Sequence, residues 1–231
     1  SLHDALPISD WRGVWYVEEP LVFPGPSAAV IPKNVQSSAK AIRGVQFERG
    51  VLPGSYFTGA PYKPQYQKLY DEIVAKARAG VVVDPVENCF SPHGMPRLAG
   101  AGPTAIEFHL TPRETWITWD AMNQTRRILT DGRGHPADQE WPRAMGDSIG
   151  HWEKTTLVID TVWMNAGVYD RTGAPHSDQV HLVERLTRTD ADTIVNEMIV
   201  EDPVMFTGPW RVTRRYKRSQ RARENVVGTY C

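Results

Sequence analysis

The chain has 231 residues and a formal net charge of -1, with 41% hydrophobic and 23% charged residues. This balance is typical of a globular protein and excludes a disordered chain. The near-zero net charge gives no electrostatic reason to expect an acidic partner such as nucleic acid. No apolar run approaches the roughly 20 residues of a membrane-spanning helix, so we expect no membrane span.

Two features bear on the origin of the sequence. Residues 1–9, SLHDALPIS, read like the translation of a sequencing adapter in a metagenome-derived gene. We predict that they are an artefact and that the natural N-terminus, with any export signal, is missing. The two cysteines, Cys89 and Cys231, predict a disulfide that ties down the C-terminal tail and stabilises the fold by roughly 4 kcal/mol. Such a bond favours an oxidising compartment, so we expect a periplasmic or secreted protein.

The first part of the chain predicts one strand, one irregular segment and one helix. The strand lies within Asp10–Glu19 and contains Trp15. Residues 20–64 are rich in Pro and Gly, which interrupt strands, so we expect an irregular wrap around the main domain. In residues 65–79 apolar side chains recur at helical spacing, with Pro64 before and Gly80 after them. This pattern predicts a helix that packs one face on the sheet.

From residue 104 onward, short runs of β-branched and aromatic residues alternate with turn residues. With the Trp15 strand, they predict about eight antiparallel strands. The runs are Thr104–Thr111, Glu114–Ala121, Thr125–Thr130, Thr155–Trp163, Val180–Arg188, Thr193–Glu201 and Trp210–Lys217. Short connections favour pairing between sequence neighbours, and closure removes exposed edges. We therefore predict a mainly β fold over residues 10–231, an antiparallel up-and-down barrel or strongly curved sheet with one packed helix.

The stretch Gly146–Arg188 holds the densest group of potentially reactive side chains. Our first hypothesis is an acid/base site in which a carboxylate orients an imidazole, as a lyase, isomerase or hydrolase needs near neutral pH. The candidates are the histidines His151, His176 and His181 and the carboxylates Asp131, Asp147 and Glu184. The alternative is that these histidines are ordinary hydrogen-bonded residues.

A second hypothesis is a zinc-type metal site, for which imidazole and carboxylate ligands are suitable. The candidate ligands are His176, His181 and Glu184, with His135 or His151 completing the shell. Alternation along a strand, however, puts His181 and Glu184 on opposite faces unless a bulge intervenes. The alternative for Glu184 is an ion pair with an arginine of another strand, such as Arg211 or Arg214.

Other chemistries lack their sequence signatures. Ser148 lies in GDSIG, which is not the G-x-S-x-G pattern of a nucleophile elbow. The chain has no Walker loop, dinucleotide fingerprint or zinc-finger spacing. In Trp210–Arg223, basic residues interleave with Trp210 and Tyr216, a pattern that also fits single-stranded nucleic acid. Because the net charge is balanced, a solvated last strand is the better interpretation, and we expect no nucleic-acid partner.

Several motifs together resemble those of an uncharacterised family of exported proteins from environmental bacteria. They are Cys89–Arg97 (CFSPHGMPR), Thr130–Pro136 (TDGRGHP), Gly146–Glu153 (GDSIGHWE), Pro175–Ser177, His181 with Glu184–Arg185, Asp202–Pro203, Pro209–Trp210 and the terminal Cys231. Where the family has Gly-Asp after Trp-Glu, this chain has Lys154–Thr155, so we expect a different turn there. The tripeptide Gly13–Trp15 also resembles the opening of lipocalin-like barrels, which implies shape and not function.

These patterns predict an exported enzyme that acts on a small apolar or aromatic molecule in a barrel pocket by His/carboxylate chemistry, without a cofactor. Two alternatives stay open. One is a non-catalytic, lipocalin-like carrier of a hydrophobic ligand, and the other is a metal-dependent enzyme with His and Glu ligands.

Overall fold

The computed structural model describes residues 11–17, 59–79, 81, 83–85, 94–100, 105–120, 123–138, 141–170 and 172–220. Within them the protein is mainly β, as predicted. In chain order the elements are β1 (Val14–Val17), α1 (Pro64–Arg78), α2 (Arg97–Gly100), β2 (Ile106–Leu110), β3 (Glu114–Trp119), β4 (Thr125–Leu129), β5 (Asp147–Glu153), β6 (Thr156–Val162), β7 (Gly167–Val168), β8 (Pro175–His176), β9 (His181–Asp190), β10 (Thr193–Glu201) and β11 (Trp210–Arg218).

Nine of these strands form a closed barrel in the order β1-β11-β10-β9-β6-β5-β4-β3-β2, in which β2 pairs with β1. The predicted barrel is therefore confirmed. Each barrel strand lies beside the next barrel strand along the chain, as short connections favour. The two short strands β7 and β8 belong to the chain segment that connects β6 to β9, and they pair with each other in a separate two-stranded sheet.

One pair of neighbouring strands departs from the predicted antiparallel arrangement. β4 and β5 run parallel and share one register pair, Leu129 with Ile149. The reason is the connection 130–146, which returns the chain to the end of the barrel where β4 began. Gly150 fits this seam because a Cβ there would lie 2.8 Å from the Val158 carbonyl oxygen and 3.0 Å from Ile128 Cγ2.

The barrel interior is occupied by its own side chains. One cluster of buried apolar residues includes Trp15, Phe108, Ile159 and Met198. Along β6 the inward-facing Leu157, Ile159 and Thr161 are fully buried, whereas the residues between them are partly exposed. This alternation follows from the two-residue repeat of a strand and decides which side chains face solvent.

Helix α1 begins with Pro64 at its first position, where the missing N–H costs nothing. Val74 and Ala77 are buried, and the Tyr70 hydroxyl lies 2.7 Å from Thr172 Oγ1 in the connection between β7 and β8. The helix thus lies within one residue of its predicted bounds and contacts the connection between β7 and β8.

The predicted strands all occur, and four elements were missed: β5, β7, β8 and α2. β5 is a strand, although its sequence DSIGHWE has polar ends and a central glycine. The short helix α2 and the two-residue strands β7 and β8 lie where no element was predicted. The predicted Cys89–Cys231 disulfide, the adapter-like residues 1–9 and residues 20–58 of the predicted wrap lie outside the described residues. Among the described residues, no helix is long and apolar enough to cross a membrane.

Candidate active site

Five side chains meet on the outer surface of the barrel, and we call them the His/carboxylate cluster: Asp147 of β5, Asp160 of β6, His181 of β9, Glu201 of β10 and His135 of the β4–β5 connection. The four strand residues occupy outward positions of four consecutive strands. His181 stands opposite Glu201 in the β9–β10 ladder, and Asp160 stands opposite Val183 in the β6–β9 ladder. The strand register therefore brings together residues that are far apart in sequence.

The cluster alternates carboxylates and imidazoles. His135 Nδ1 lies 2.6 Å from Asp147 Oδ1, and His135 Nε2 lies 3.3 Å from Asp160 Oδ1. The same Asp160 oxygen lies 2.9 Å from His181 Nε2, and His181 Nδ1 lies 3.0 Å from Glu201 Oε2. One carboxylate oxygen is thus shared by two imidazoles, and each imidazole has a carboxylate on both sides.

The two residues at one end of the cluster are less exposed than the other three. The side chains of Asp147 and His135 are 13% and 20% exposed, whereas those of His181, Asp160 and Glu201 are 32%, 42% and 47% exposed. A molecule from solvent therefore reaches His181 and Asp160 more easily than His135. The less exposed end is suited to holding the other end in place.

The contacts of His181 favour its charged form. A neutral imidazole has one N–H, so one ring nitrogen would present a lone pair to a carboxylate oxygen, whereas the cation donates on both sides. The hydrogen bond with Asp160 raises the pKa of His181, partial burial opposes this, and the contact with Glu201 adds to it. The hydrogen bond from His181 correspondingly lowers the pKa of Asp160, against partial desolvation.

An aromatic side chain borders the less exposed end of the cluster. The ring of Trp163 lies 6.0 Å from the His135 ring, centre to centre. Trp163 has φ of 59°, a left-handed conformation that is rare for a bulky residue, and its carbonyl oxygen accepts from the backbone N–H of Arg143 at 2.9 Å. A residue other than glycine keeps this conformation only where the surrounding structure holds it, and such residues cluster at functional sites.

Partly exposed aliphatic side chains lie beside the cluster on the same outer surface. Val162 stands opposite Asp147 in the β5–β6 ladder, and Val183 stands opposite Asp160 in the β6–β9 ladder. Both are partly exposed. With Trp163, they give the surroundings of the cluster an apolar character.

Two predicted acid/base residues lie on the surface apart from the cluster. His151 faces outward on β5, is 63% exposed and contacts Glu153 at 3.1 Å. Asp131 contacts Arg133 and Arg113, and the hydrogen bonds from Arg133 lower the pKa of this carboxyl group. Both residues thus find their partners outside the cluster: Glu153 for His151, and two arginines for Asp131.

His176 is buried and lies apart from the cluster as well. Its ring centre is 4.9 Å from that of Tyr169, and its Nδ1 donates to the Ser177 carbonyl oxygen at 3.1 Å. Burial lowers the pKa of His176, and the hydrogen bond to Ser177 opposes this only in part. His176 therefore packs against Tyr169 in the segment that contains β7 and β8, outside the cluster.

Glu184 faces the barrel interior, on the opposite face of β9 from His181, and strand alternation predicted this separation. Its Oε2 lies 2.6 Å from Nη1 of Arg126, and its Oε1 accepts from Nδ2 of Asn196 at 3.0 Å. Arg126 also donates to Ser148 Oγ at 3.0 Å and to Thr161 Oγ1 at 2.5 Å. We call these five residues the Arg126 network. The partner of Glu184 in this ion pair is thus Arg126 of β4.

The predicted metal ligands are divided between two sides of the sheet. His181 and His135 lie outside, whereas Glu184 lies inside the barrel. Among the described residues, no group of three or more His, Cys, Asp and Glu side chains is arranged to hold a metal ion. A cavity of about 300 Å³ opens beside Trp11 and the β9–β10 turn, at the opposite end of the strands, and none of the predicted site residues lines it.

Sequence reasoning found three members of the cluster: it named His181 and Asp147 among the acid/base candidates, and His135 only as a metal ligand. It missed Asp160 and Glu201. The signal for Asp160 was a carboxylate at an outward position of an otherwise apolar strand, and Glu201 ends β10 with no local motif around it. Arg126 gave no signal, because TRRIL shows two consecutive arginines without indicating which faces inward.

Comparisons of the chain with protein-family models, with curated proteins and with solved structures found no match.

Proposed function

We propose that the His/carboxylate cluster is the acid/base centre of an enzyme. Its substrate would be a small molecule with an apolar or aromatic part, and its chemistry of the lyase, isomerase or hydrolase type. The observation that carries this proposal is the Asp160 carboxylate oxygen that contacts Nε2 of both His135 and His181. A carboxylate that orients an imidazole near solvent is the arrangement that proton transfer near neutral pH requires.

Within this proposal His181 exchanges the proton with the substrate at Nδ1, where the substrate takes the place of the exposed Glu201 carboxylate. It is the more exposed imidazole, and the hydrogen bond with Asp160 raises its pKa, so that it holds a proton to higher pH than an ordinary histidine. Asp160 orients His181, and Asp147 fixes the ring of His135 from the less exposed end. A positioned general acid or base contributes a rate factor of roughly 10²–10⁴.

The apolar part of the substrate is proposed to lie against Trp163 and the neighbouring valines Val162 and Val183. Support comes from their position beside the cluster and from the partial exposure of the two valines. This location replaces the barrel pocket expected from the sequence, because buried side chains occupy the interior. Export to the periplasm or medium belongs to the same proposal and rests on the motif resemblance.

The test is a substrate screen with a matched control. Aryl esters, aromatic β-hydroxy ketones and cyclic enones would probe hydrolysis, water elimination and isomerisation in the wild-type protein, His181→Gln and His151→Gln. His151 is the control because it also faces outward and contacts a carboxylate. We expect turnover to fall roughly 100-fold or more in His181→Gln and to persist in His151→Gln.

Three results would count against the proposal. They are equal turnover in His181→Gln and the wild type, no turnover by the wild type on any of the three classes, and saturable binding of an apolar ligand without turnover. The last result would favour the carrier.

A further inference from the structure

We propose that Arg126 is a positioning residue for the His/carboxylate cluster: from inside the barrel, it fixes the relative positions of the strands that present the cluster outside. The inference rests on the proposed function insofar as it assigns Arg126 a role in catalysis. Its structural content, that Arg126 sets the geometry around His181, can be tested without a substrate.

A single guanidinium links four strands of the barrel. Arg126 belongs to β4 and is 1% exposed. Its Nε donates to Ser148 of β5, its Nη2 donates to Thr161 of β6, and its Nη1 is ion-paired with Glu184 of β9. Ser148 and Thr161 also lie opposite each other in the β5–β6 ladder, with their hydroxyl oxygens 3.1 Å apart.

The interior partners of Arg126 are chain neighbours of the cluster. Ser148 follows Asp147, and Thr161 follows Asp160, so each pair shares a peptide unit and points to opposite faces of the sheet. His181 precedes Leu182, which stands opposite Thr161 in the β6–β9 ladder. A displacement of the interior contacts therefore moves the backbone that carries the outer carboxylates.

The strand seam crossed by Arg126 has little backbone pairing of its own. β4 and β5 share the single register pair Leu129 with Ile149, whereas β5 and β6 share seven pairs. The side-chain hydrogen bond from Arg126 to Ser148 thus joins β4 to β5 where these two strands share only one register pair among the described residues. His135 enters the cluster from the connection between these same two strands, so the seam also determines where His135 stands.

Arginine suits this role for a geometric reason. Its planar guanidinium presents five N–H donors in a fixed fork, whereas the lysine ammonium is a point charge on a flexible stem. Lysine at this position would keep the charge but could not hold Ser148, Thr161 and Glu184 in the same directions. Arg126→Lys therefore separates positioning from charge.

The experiment measures the histidine pKa values by NMR in the wild-type protein and in three variants. The double variant Arg126→Met/Glu184→Leu removes the buried charge pair and keeps apolar volume, a replacement that proteins often tolerate. Arg126→Lys tests geometry at constant charge. Thr161→Val removes the hydroxyl that contacts Arg126 Nη2 and Ser148 Oγ, and it is the mildest change because it keeps the charge pair and the size of the side chain. The control is Arg127→Met, because Arg127 is the next residue of β4 and its ion pair with Glu114 is exposed.

We expect the pKa of His181 to fall towards its ordinary value in the double variant and in Arg126→Lys, and less so in Thr161→Val, with no change in Arg127→Met. Where a substrate is known, kcat should fall roughly 100-fold with little change in KM, since small misplacements of catalytic groups are costly. An unchanged His181 pKa in a folded double variant or in Arg126→Lys would overturn the positioning role. If the double variant does not fold, Arg126→Lys and Thr161→Val decide.

The two proposals fail in distinguishable ways. In the first case the Arg126 variants shift the His181 pKa, but turnover is unaffected or the wild type shows none. Arg126 would then determine the geometry of the cluster, and the proposed role of the cluster in catalysis would be removed. Loss of turnover in His181→Gln, together with an unchanged His181 pKa in the Arg126 variants, would keep the enzyme and remove the positioning role.

Discussion

The ion pair between Glu184 and Arg126 offers a direct test of the barrel interior. In Glu184→Leu the carboxylate is replaced by an apolar group of similar size, and the guanidinium of Arg126 stays in place. Both side chains are at most 3% exposed, so the remaining cation has no access to solvent. Its hydrogen bonds to Ser148 and Thr161 satisfy two donors but do not balance the charge.

The magnitude follows from this burial. Removing one partner of a buried ion pair costs about 3–5 kcal/mol, because an uncompensated charge is left behind. For a chain of this size each kcal/mol lowers Tm by about 2–4 °C, so Tm should fall by about 6–20 °C. The double variant Arg126→Met/Glu184→Leu should recover the cost of the unpaired guanidinium and retain only the loss of the Asn196 hydrogen bond to Glu184, about 1–3 kcal/mol.

Urea unfolding monitored by tryptophan fluorescence measures these free energies, and a thermal melt gives Tm. Glu114→Leu serves as the control, because it removes one partner of the exposed pair with Arg127 and should change stability little. If Glu184→Leu lowers the free energy of unfolding by less than about 1 kcal/mol, the reasoning is refuted, since a buried unpaired guanidinium should destabilise the fold by more than that. A double variant as unstable as the single one would refute it as well.

Three further predictions concern pH and backbone conformation. Burial lowers the pKa of His176, so the unfolded chain takes up its proton first. The resulting stability is complete above about pH 6.5 and is lost as pH falls through the lowered value, and urea midpoints in His176→Phe should not show this loss. The cluster should stabilise the fold most between the lowered pKa of Asp160 and the raised pKa of His181. The stability difference between wild type and His181→Gln should therefore shrink as pH rises through the His181 value, and a constant difference would contradict this. Lys154 has φ of 56° in the two-residue turn between β5 and β6, so Lys154→Gly should raise stability by about 0.5–1 kcal/mol, and a lower Tm would argue against strain there.

The sequence predicted those features of the fold that depend on local pattern. Runs of β-branched and aromatic residues bounded by turn residues located every barrel strand except β5. Helical spacing located α1 to within one residue. β5 escaped because Gly150 interrupts its β-forming residues, and that glycine is required by the close approach of Val158 and Ile128. The parallel seam escaped because strand direction is decided by the path of the connection 130–146, which has no short-range signature.

The site was harder to predict because it depends on register. Parity along β9 correctly separated His181 from Glu184, since one strand and its two-residue repeat are enough for that inference. Which residues His181 meets depends instead on the offset of β9 against β6 and β10. That offset is a non-local property, so Asp160 and Glu201 could not be selected from among the other carboxylates.

The interior network and the outer cluster depend on the same register of β5, β6 and β9. A slip of one residue along β6 would turn Asp160 inward and Thr161 outward. Such a slip would bury a carboxylate among apolar side chains and would remove a hydrogen-bond acceptor from Arg126 at the same time. Competing registers are therefore penalised on both faces of the sheet. A buried ion pair adds little net stability over a hydrophobic replacement. Under the positioning role that we propose for Arg126, the ion pair specifies the strand register that presents His181 and Asp160 outside the barrel.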